Sequence, residues 1–169
     1  DLDLYVPRVG KNILFRKEGS KFVPLPGDEG VGSAALFVDL DNDGWLDLLL
    51  SNLESEKMPT SQGLRRNSSG RALVWLRNQG NGTFEDRTKE AGLLVQGPAM
   101  SLAASDIDRD GDLDFYVCFY KDFGEESESY VPIPDDILQA NNGVANQLWI
   151  NQGDGTFREE ASKRGVADI

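Results

Sequence analysis

The chain has 169 residues, 39% of them hydrophobic, enough for one folded unit with a core of its own. Its 17 lysines and arginines stand against 29 aspartates and glutamates, and a net charge of −12 argues against nucleic acid, whose binding rests on basic contacts. With no histidine and a single cysteine, Cys118, the sequence excludes a Ser-His-Asp triad, a Cys-His pair, the common His-containing zinc sites and an internal disulfide.

In chain order, "DLDLYV" (1–6) reads as a strand, and "NILFRKEGSKF" (12–22) as two more joined by a short turn. "GDEGVG" (27–32) lacks the lysine of a phosphate loop and is expected to be a turn between two units. "SAALFV" follows as a strand, and then "DLDNDGWLD" (39–47). This stretch reads D-x-D-x-D-G-x-x-D, and "DIDRDGDLD" (106–114) repeats it 67 positions later.

A hard divalent cation explains that spacing. Calcium takes six to eight oxygens, and a loop winding round one ion points every second side chain inward. The glycine permits a sharp bend that a Cβ would resist. The spacing predicts one ion held by Asp39, Asp41, Asp43, the Trp45 carbonyl and Asp47, and a second by Asp106, Asp108, Asp110, the Asp112 carbonyl and Asp114. Magnesium is the weaker candidate, because it demands near-ideal octahedral geometry. A merely solvated acidic loop would explain neither the glycine nor the repeated register. An EF-hand fails at the twelfth position, where a bidentate Glu is required and Leu50 and Val117 stand. Both lie in apolar runs, "LDLLL" and "LDFYVCFY", that read as buried strands. Cys118 belongs to the second run and reads as core.

The loops sit inside a longer repeat. "ALVWLRNQGNGTFEDRTKEAG" (72–92) follows the first and "NQLWINQGDGTFREEASKRG" (146–165) the second. Asn81-Gly82 and Asp154-Gly155 lie between strand-like runs and mark hairpins. Trp75 and Trp149 are expected at one shared position of the third strand, packing the core. Trp45 is expected to cap the next unit. Asp1 and Asp3 fall at the seventh and ninth positions of a third loop, too few oxygens to hold an ion. Each full unit therefore reads as four antiparallel strands, A to D, with the calcium loop between A and B, the pattern of a β-propeller blade. The expected units are a partial blade at 1–32 (strands B to D) and blades at 33–100 and 101–169. About three blades, against the four to eight of propellers, predict part of a larger propeller, or a subunit completed by further blades or other chains.

Two inserts break the repeat, at 53–71 and 121–145. Both fall between strands B and C, which predicts that they share the face opposite the calcium loops. "PDDIL" (134–138) is expected to open a short helix. Asn67 and Asn81 stand in glycosylation acceptor patterns, Asn67 in an accessible insert and Asn81 in a tight turn.

D-x-D-x-D-G-x-x-D before a strand, followed by N-x-G-x-G-T-F, resembles the FG-GAP/VCBS repeat of calcium-binding β-propellers, found in integrin α-subunit heads and many secreted bacterial proteins. "NGTFEDRTKEAGL" is similar to the cartilage-acidic-protein (ASPIC/UnbV-type) group, while "VQGPAM" (95–100) stands in place of the FG-GAP tetrapeptide itself. The resemblance implies an all-β propeller with calcium as a structural staple, and an adhesion or interaction module rather than an enzyme. The implied partner is a protein or a glycan, bound through the loops opposite the calcium face. The alternative is part of a propeller carbohydrate-active enzyme such as a polysaccharide lyase. Calcium loops favour an extracellular or periplasmic, secreted location. No run of 18 apolar residues predicts membrane insertion.

Overall fold

A computed structural model describes residues 3–52, 58–60, 63–65, 71–119 and 144–167, with residues 9–11, 26–31, 58–60 and 63–65 described by their backbone. Among them the chain is almost entirely β: β1 (Leu4–Val6), β2 (Val9–Glu18), β3 (Lys21–Val38), β4 (Asp47–Asn52), β5 (Met58–Thr60), β6 (Gly63–Arg65), β7 (Leu73–Asn78), β8 (Phe84–Asp86), β9 (Ala99–Ser105), β10 (Asp114–Phe119), β11 (Gln147–Asn151) and β12 (Phe157–Glu159). The single helix among the described residues, α1 (Ala161–Arg164), is one turn long. No helix among the described residues is long and apolar enough to cross a membrane.

Every strand pairing among the described residues is antiparallel. One sheet runs β12-β11-β10-β9, the D-C-B-A order of a complete blade. A six-stranded sheet runs β1-β2-β3-β4-β7-β8, and among the described residues β5 pairs with β6 alone. The larger sheet is two blade-like units fused through one strand. The first half of β3 pairs with β2 (Lys17↔Phe22 to Val9↔Val31), and its second half pairs with β4 (Gly32↔Asn52 to Val38↔Asp47). The "GDEGVG" segment, expected as a turn, is therefore extended backbone within β3, and residues 32 and 33 fall inside that strand. Gly30 stands opposite Gly10 of β2 and Gly32 opposite Asn52 of β4, so the stretch runs along two ladders rather than reversing. The register shifts between Gly32 and Ala34, a bulge of the kind that bends a strand. Gly32 also lies against β1's flank, where a Cβ would stand 2.7 Å from that of Pro7.

The sheets stack face to face, which makes the fold propeller-like; no sheet closes on itself among the described residues. Period-two alternation sorts the side chains into layers. Leu48, Leu50 and Val74 turn toward Tyr5 and Leu14 of β1 and β2. Leu49, Leu73 and Trp75 turn the other way and meet Phe115, Val117, Trp149 and Phe157 of the last sheet. β4 is buried along its whole length, as its apolar run predicts. The far face of the last sheet carries Leu148 and Ile150, covered by Ala161 of α1. The Tyr116 hydroxyl donates to the Val166 carbonyl at 2.6 Å and pins that covering segment.

The two tryptophans do not occupy one register position. Asn78↔Phe84 and Asn151↔Phe157 are equivalent pairs at the hairpin ends. Counting back from them, Trp149 matches Leu76, and Trp75 matches Leu148. A shift of one residue flips a strand side chain to the other face. Trp75 therefore faces the following sheet and Trp149 the preceding one, so both enter the same layer. There Trp75 meets Phe157 edge-on at 5.8 Å, and Phe115 stacks on Trp149 at 6.3 Å.

Candidate metal centres

Each aspartate loop bridges two strands of one sheet, 39–47 between β3 and β4 and 106–114 between β9 and β10. The loops share a conformation. Their fourth residues, Asn42 and Arg109, have left-handed φ of 56° and 64°, and their glycines, Gly44 and Gly111, have φ of 89° and 99°. The first aspartate gathers the N–H groups of the bend. Asp39 accepts from Asp43 (3.2 Å) and Gly44 (3.0 Å), and Asp106 accepts from Arg109 (2.7 Å) and Gly111 (3.2 Å). The fifth accepts from the seventh: Trp45 N–H gives to Asp43 and Asp112 N–H to Asp110, both at 2.9 Å.

The ninth aspartate is a buried anchor. Asp47 accepts from Leu40 N (3.3 Å), Asn78 N (2.8 Å) and the Trp75 indole (2.9 Å). Asp114 accepts from Ile107 N and Asn151 N, both at 2.9 Å. Asp3 repeats the motif with Lys17 N at 3.0 Å; Asp1 lies outside the described residues. Burial pushes the Asp47 carboxyl above its ordinary range, against the pull of those donors.

Among the expected ligands, the structure brings the carboxylates of Asp39, Asp41 and Asp43 within 4.8 Å of one another, and likewise those of Asp106, Asp108 and Asp114. The Asp47 and Asp110 side chains stand outside these groups of carboxylates. The donor set is oxygen throughout, which suits a hard cation such as calcium. One Asp41 oxygen, Oδ1, is buried with no hydrogen-bond donor, an expensive arrangement for a carboxylate oxygen and one a cation would relieve. Asp108 is crowded too. Loss of water, then the charges of Asp110 and Asp114, push its carboxyl upward. The residues present therefore fit a calcium ion in each loop.

Several contributors were not foreseen. Asn78 and Asn151 tie loop to hairpin. Asn78 donates to the Leu46 carbonyl (2.9 Å) and accepts from Gly80 N (3.0 Å). Asn151 donates to the carbonyls of Leu40 (2.8 Å) and Leu113 (3.2 Å), so it binds both loops at once. The loops also touch directly, through Asn42 Nδ2 and Asp112 Oδ1 at 2.5 Å. Arg77 of β7 forks onto Asp41, through Nε, and onto Asp43, through Nη2 at 2.8 Å. The shared N-Q-G string was the visible signal for the asparagines; nothing in the spacing pointed to Arg77.

Trp45 does not cap the next unit. It is 54% exposed and lies over Gly80 of its own sheet, where a Cβ would stand 2.8 Å from the indole nitrogen. Its other side looks toward β1 and β2 across a cleft of about 380 Å³ that Arg16, Lys17 and Phe37 also line. The Asn81 side chain is bound to Thr83, through both N–H and hydroxyl (3.0 and 2.6 Å), as a turn residue. Asn67, "PDDIL" and most of the two inserts lie outside the described residues; the β5–β6 hairpin and Arg71 are the described parts of the first.

Stacked antiparallel sheets with an acidic loop at the same corner of two of them define a propeller-type module. A family profile described as an FG-GAP-like repeat matches residues 64–117. The match supports the FG-GAP family for that stretch. It runs from β6 through β7, β8 and β9 to the end of the second aspartate loop and into β10, so its frame straddles two sheets. The 39–47 loop lies outside the matched span. No curated protein matches the chain.

Proposed function

We propose that the chain is a calcium-stabilised interaction or adhesion module without catalytic activity, working outside the cytoplasm. The single observation that carries the calcium reading is Asp41 Oδ1, a buried carboxylate oxygen with no donor, inside a set of three converging carboxylates. In this reading Asp39, Asp41 and Asp43 hold one ion, and Asp106, Asp108 and Asp114 the other. Asp110 and the carbonyls of Trp45 and Asp112 complete the shells. Asp47 and Asp114 anchor the loops to the hairpins behind them. Bound calcium supplies charge neutralisation for loops that otherwise hold several carboxylates at close range. An ion that binds only the folded state stabilises it by mass action, about 2.7 kcal/mol at a hundredfold excess over Kd.

A protein or glycan partner is taken up on the face carrying the two inserts, because long connections on a rigid scaffold are where binding residues collect. Further blades or other chains associate with the stack. The test pairs melting temperature with a screen of glycans and polysaccharides. Calcium should raise the melting temperature, and glycan binding, where found, should occur without turnover. Chain cleavage of a polysaccharide would favour a propeller carbohydrate-active enzyme instead.

A further inference from the structure

We propose that Arg77 is a built-in counter-cation of the 39–47 loop, so that the two loops take calcium with unequal affinity and the 106–114 loop fills first. The inference rests on the calcium reading above and concerns how the same sites are regulated. Arg77 reaches from β7 with both ends of its guanidinium engaged, Nε on Asp41 Oδ2 and Nη2 on Asp43 Oδ2. These are two of the three carboxylates that converge in that loop. The Asp41 side chain is 16% exposed and that of Arg77 32%, so the pair is partly, not fully, withdrawn from the water and salt that weaken surface ion pairs.

Among the described residues the other loop has no such forked partner. Arg77 pairs across its hairpin with Glu85, and the equivalent pair in the last sheet is Ile150 with Arg158. Ile150 is apolar, buried, and turned to the far layer. Among the described residues, the ion pair to that loop's carboxylates comes from Arg164 of α1, whose Nη2 stands 3.5 Å from Asp108 Oδ2. Its Nε is already committed to Glu160 at 2.9 Å. A dication and a guanidinium repel each other at this range and compete for the same oxygen lone pairs. Calcium entering the first loop must therefore displace Arg77 from Asp41 and Asp43, whereas in the second it displaces one long contact. Arg77 leaves Asp41 Oδ1 unserved, so the fork holds the loop closed without satisfying it.

The test is a calorimetric calcium titration of the wild-type chain and of Arg77→Ile, which copies the residue at the same place in the last sheet. Trp45 emission is recorded alongside as a reporter of the first loop, since its counterpart in the second is Asp112. The wild type should show two separable steps, with Trp45 responding in the weaker. Arg77→Ile should strengthen that step roughly tenfold, the scale of losing one partly buried ion pair, and leave the other unchanged. Its melting temperature should fall in chelator and recover in saturating calcium. Arg77→Lys keeps the charge but cannot fork, and should lie between; it carries the same test if the isoleucine variant does not fold. Two equal steps unmoved by either substitution, or a weaker first loop in Arg77→Ile, would overturn the inference while leaving calcium binding intact. No calcium uptake by any of the three proteins would overturn both.

Discussion

The Trp75 indole donates to Asp47 Oδ2 at 2.9 Å, and both residues are buried. The bond joins the core layer to the base of the aspartate loop. Trp149, one register step away on its own strand, gives its indole proton to Gln147 instead, at 3.0 Å in a half-buried setting. Trp75→Phe keeps much of the ring but leaves Asp47 one donor short. It should cost about 1–3 kcal/mol, read as a lowered urea midpoint, because a buried carboxylate loses a partner that water cannot replace. Trp149→Phe should cost less. Equal losses would show that the Asp47 bond has no special weight.

Asn151 should matter more than Asn78, although both occupy the same place in the N-Q-G turn. Asn151 Nδ2 ties its own loop to the carbonyl of Leu40 in the other, whereas Asn78 Nδ2 reaches only Leu46 in an exposed setting. Asn151→Ala should lose about 1–3 kcal/mol by orphaning buried groups. Asn78→Ala should lose about 1 kcal/mol or less. Denaturant unfolding of the two variants side by side decides the order.

Gly80 combines a φ of 70° with the Trp45 indole lying where its Cβ would be. Gly80→Ala should cost about 1–2 kcal/mol for the left-handed backbone alone and also push Trp45 off the turn. A changed Trp45 emission spectrum reports the second effect. A spectrum identical to wild type would mean that the indole does not rest there in solution.

Glu160 gives an acid signature. Its side chain is 3% exposed and bonded by Lys163 and Arg164, with Arg158 near, which together hold its carboxyl down to about 2 from an ordinary 4.5. A depressed carboxyl stabilises the fold above its unfolded value and stops doing so as it protonates. That share of stability should be whole above about pH 4.5 and lost as the pH falls toward about 2. Glu160→Gln should be less stable at neutral pH and should show a shallower loss across that window in thermal melts.

Much of this fold was legible because its signals are local. The apolar runs after each loop, the two G-T-F hairpins and the all-β character follow from short-range pattern. What was illegible depended on partners. "GDEGVG" is turn-like in composition, yet a glycine-rich stretch will also lie flat in a ladder when a strand such as β2 is there to receive it. Aligning Trp75 on Trp149 hid a one-residue offset that aligning on Asn78 and Asn151 exposes, and that offset decides which face each ring takes. Arg77 reaches a loop 36 and 34 positions earlier in the chain, and no spacing rule encodes such a contact. The aspartates were found by their period, while the division between Asp47 as anchor and Asp41 as orphan needed the surrounding donors.

The most direct test of calcium as the staple of this fold is a crystal structure grown in millimolar calcium, with anomalous scattering recorded at long wavelength. Two peaks are expected, one among Asp39, Asp41 and Asp43 and one among Asp106, Asp108 and Asp114. Well-ordered loops with no peak in either, under the same calcium, would contradict it.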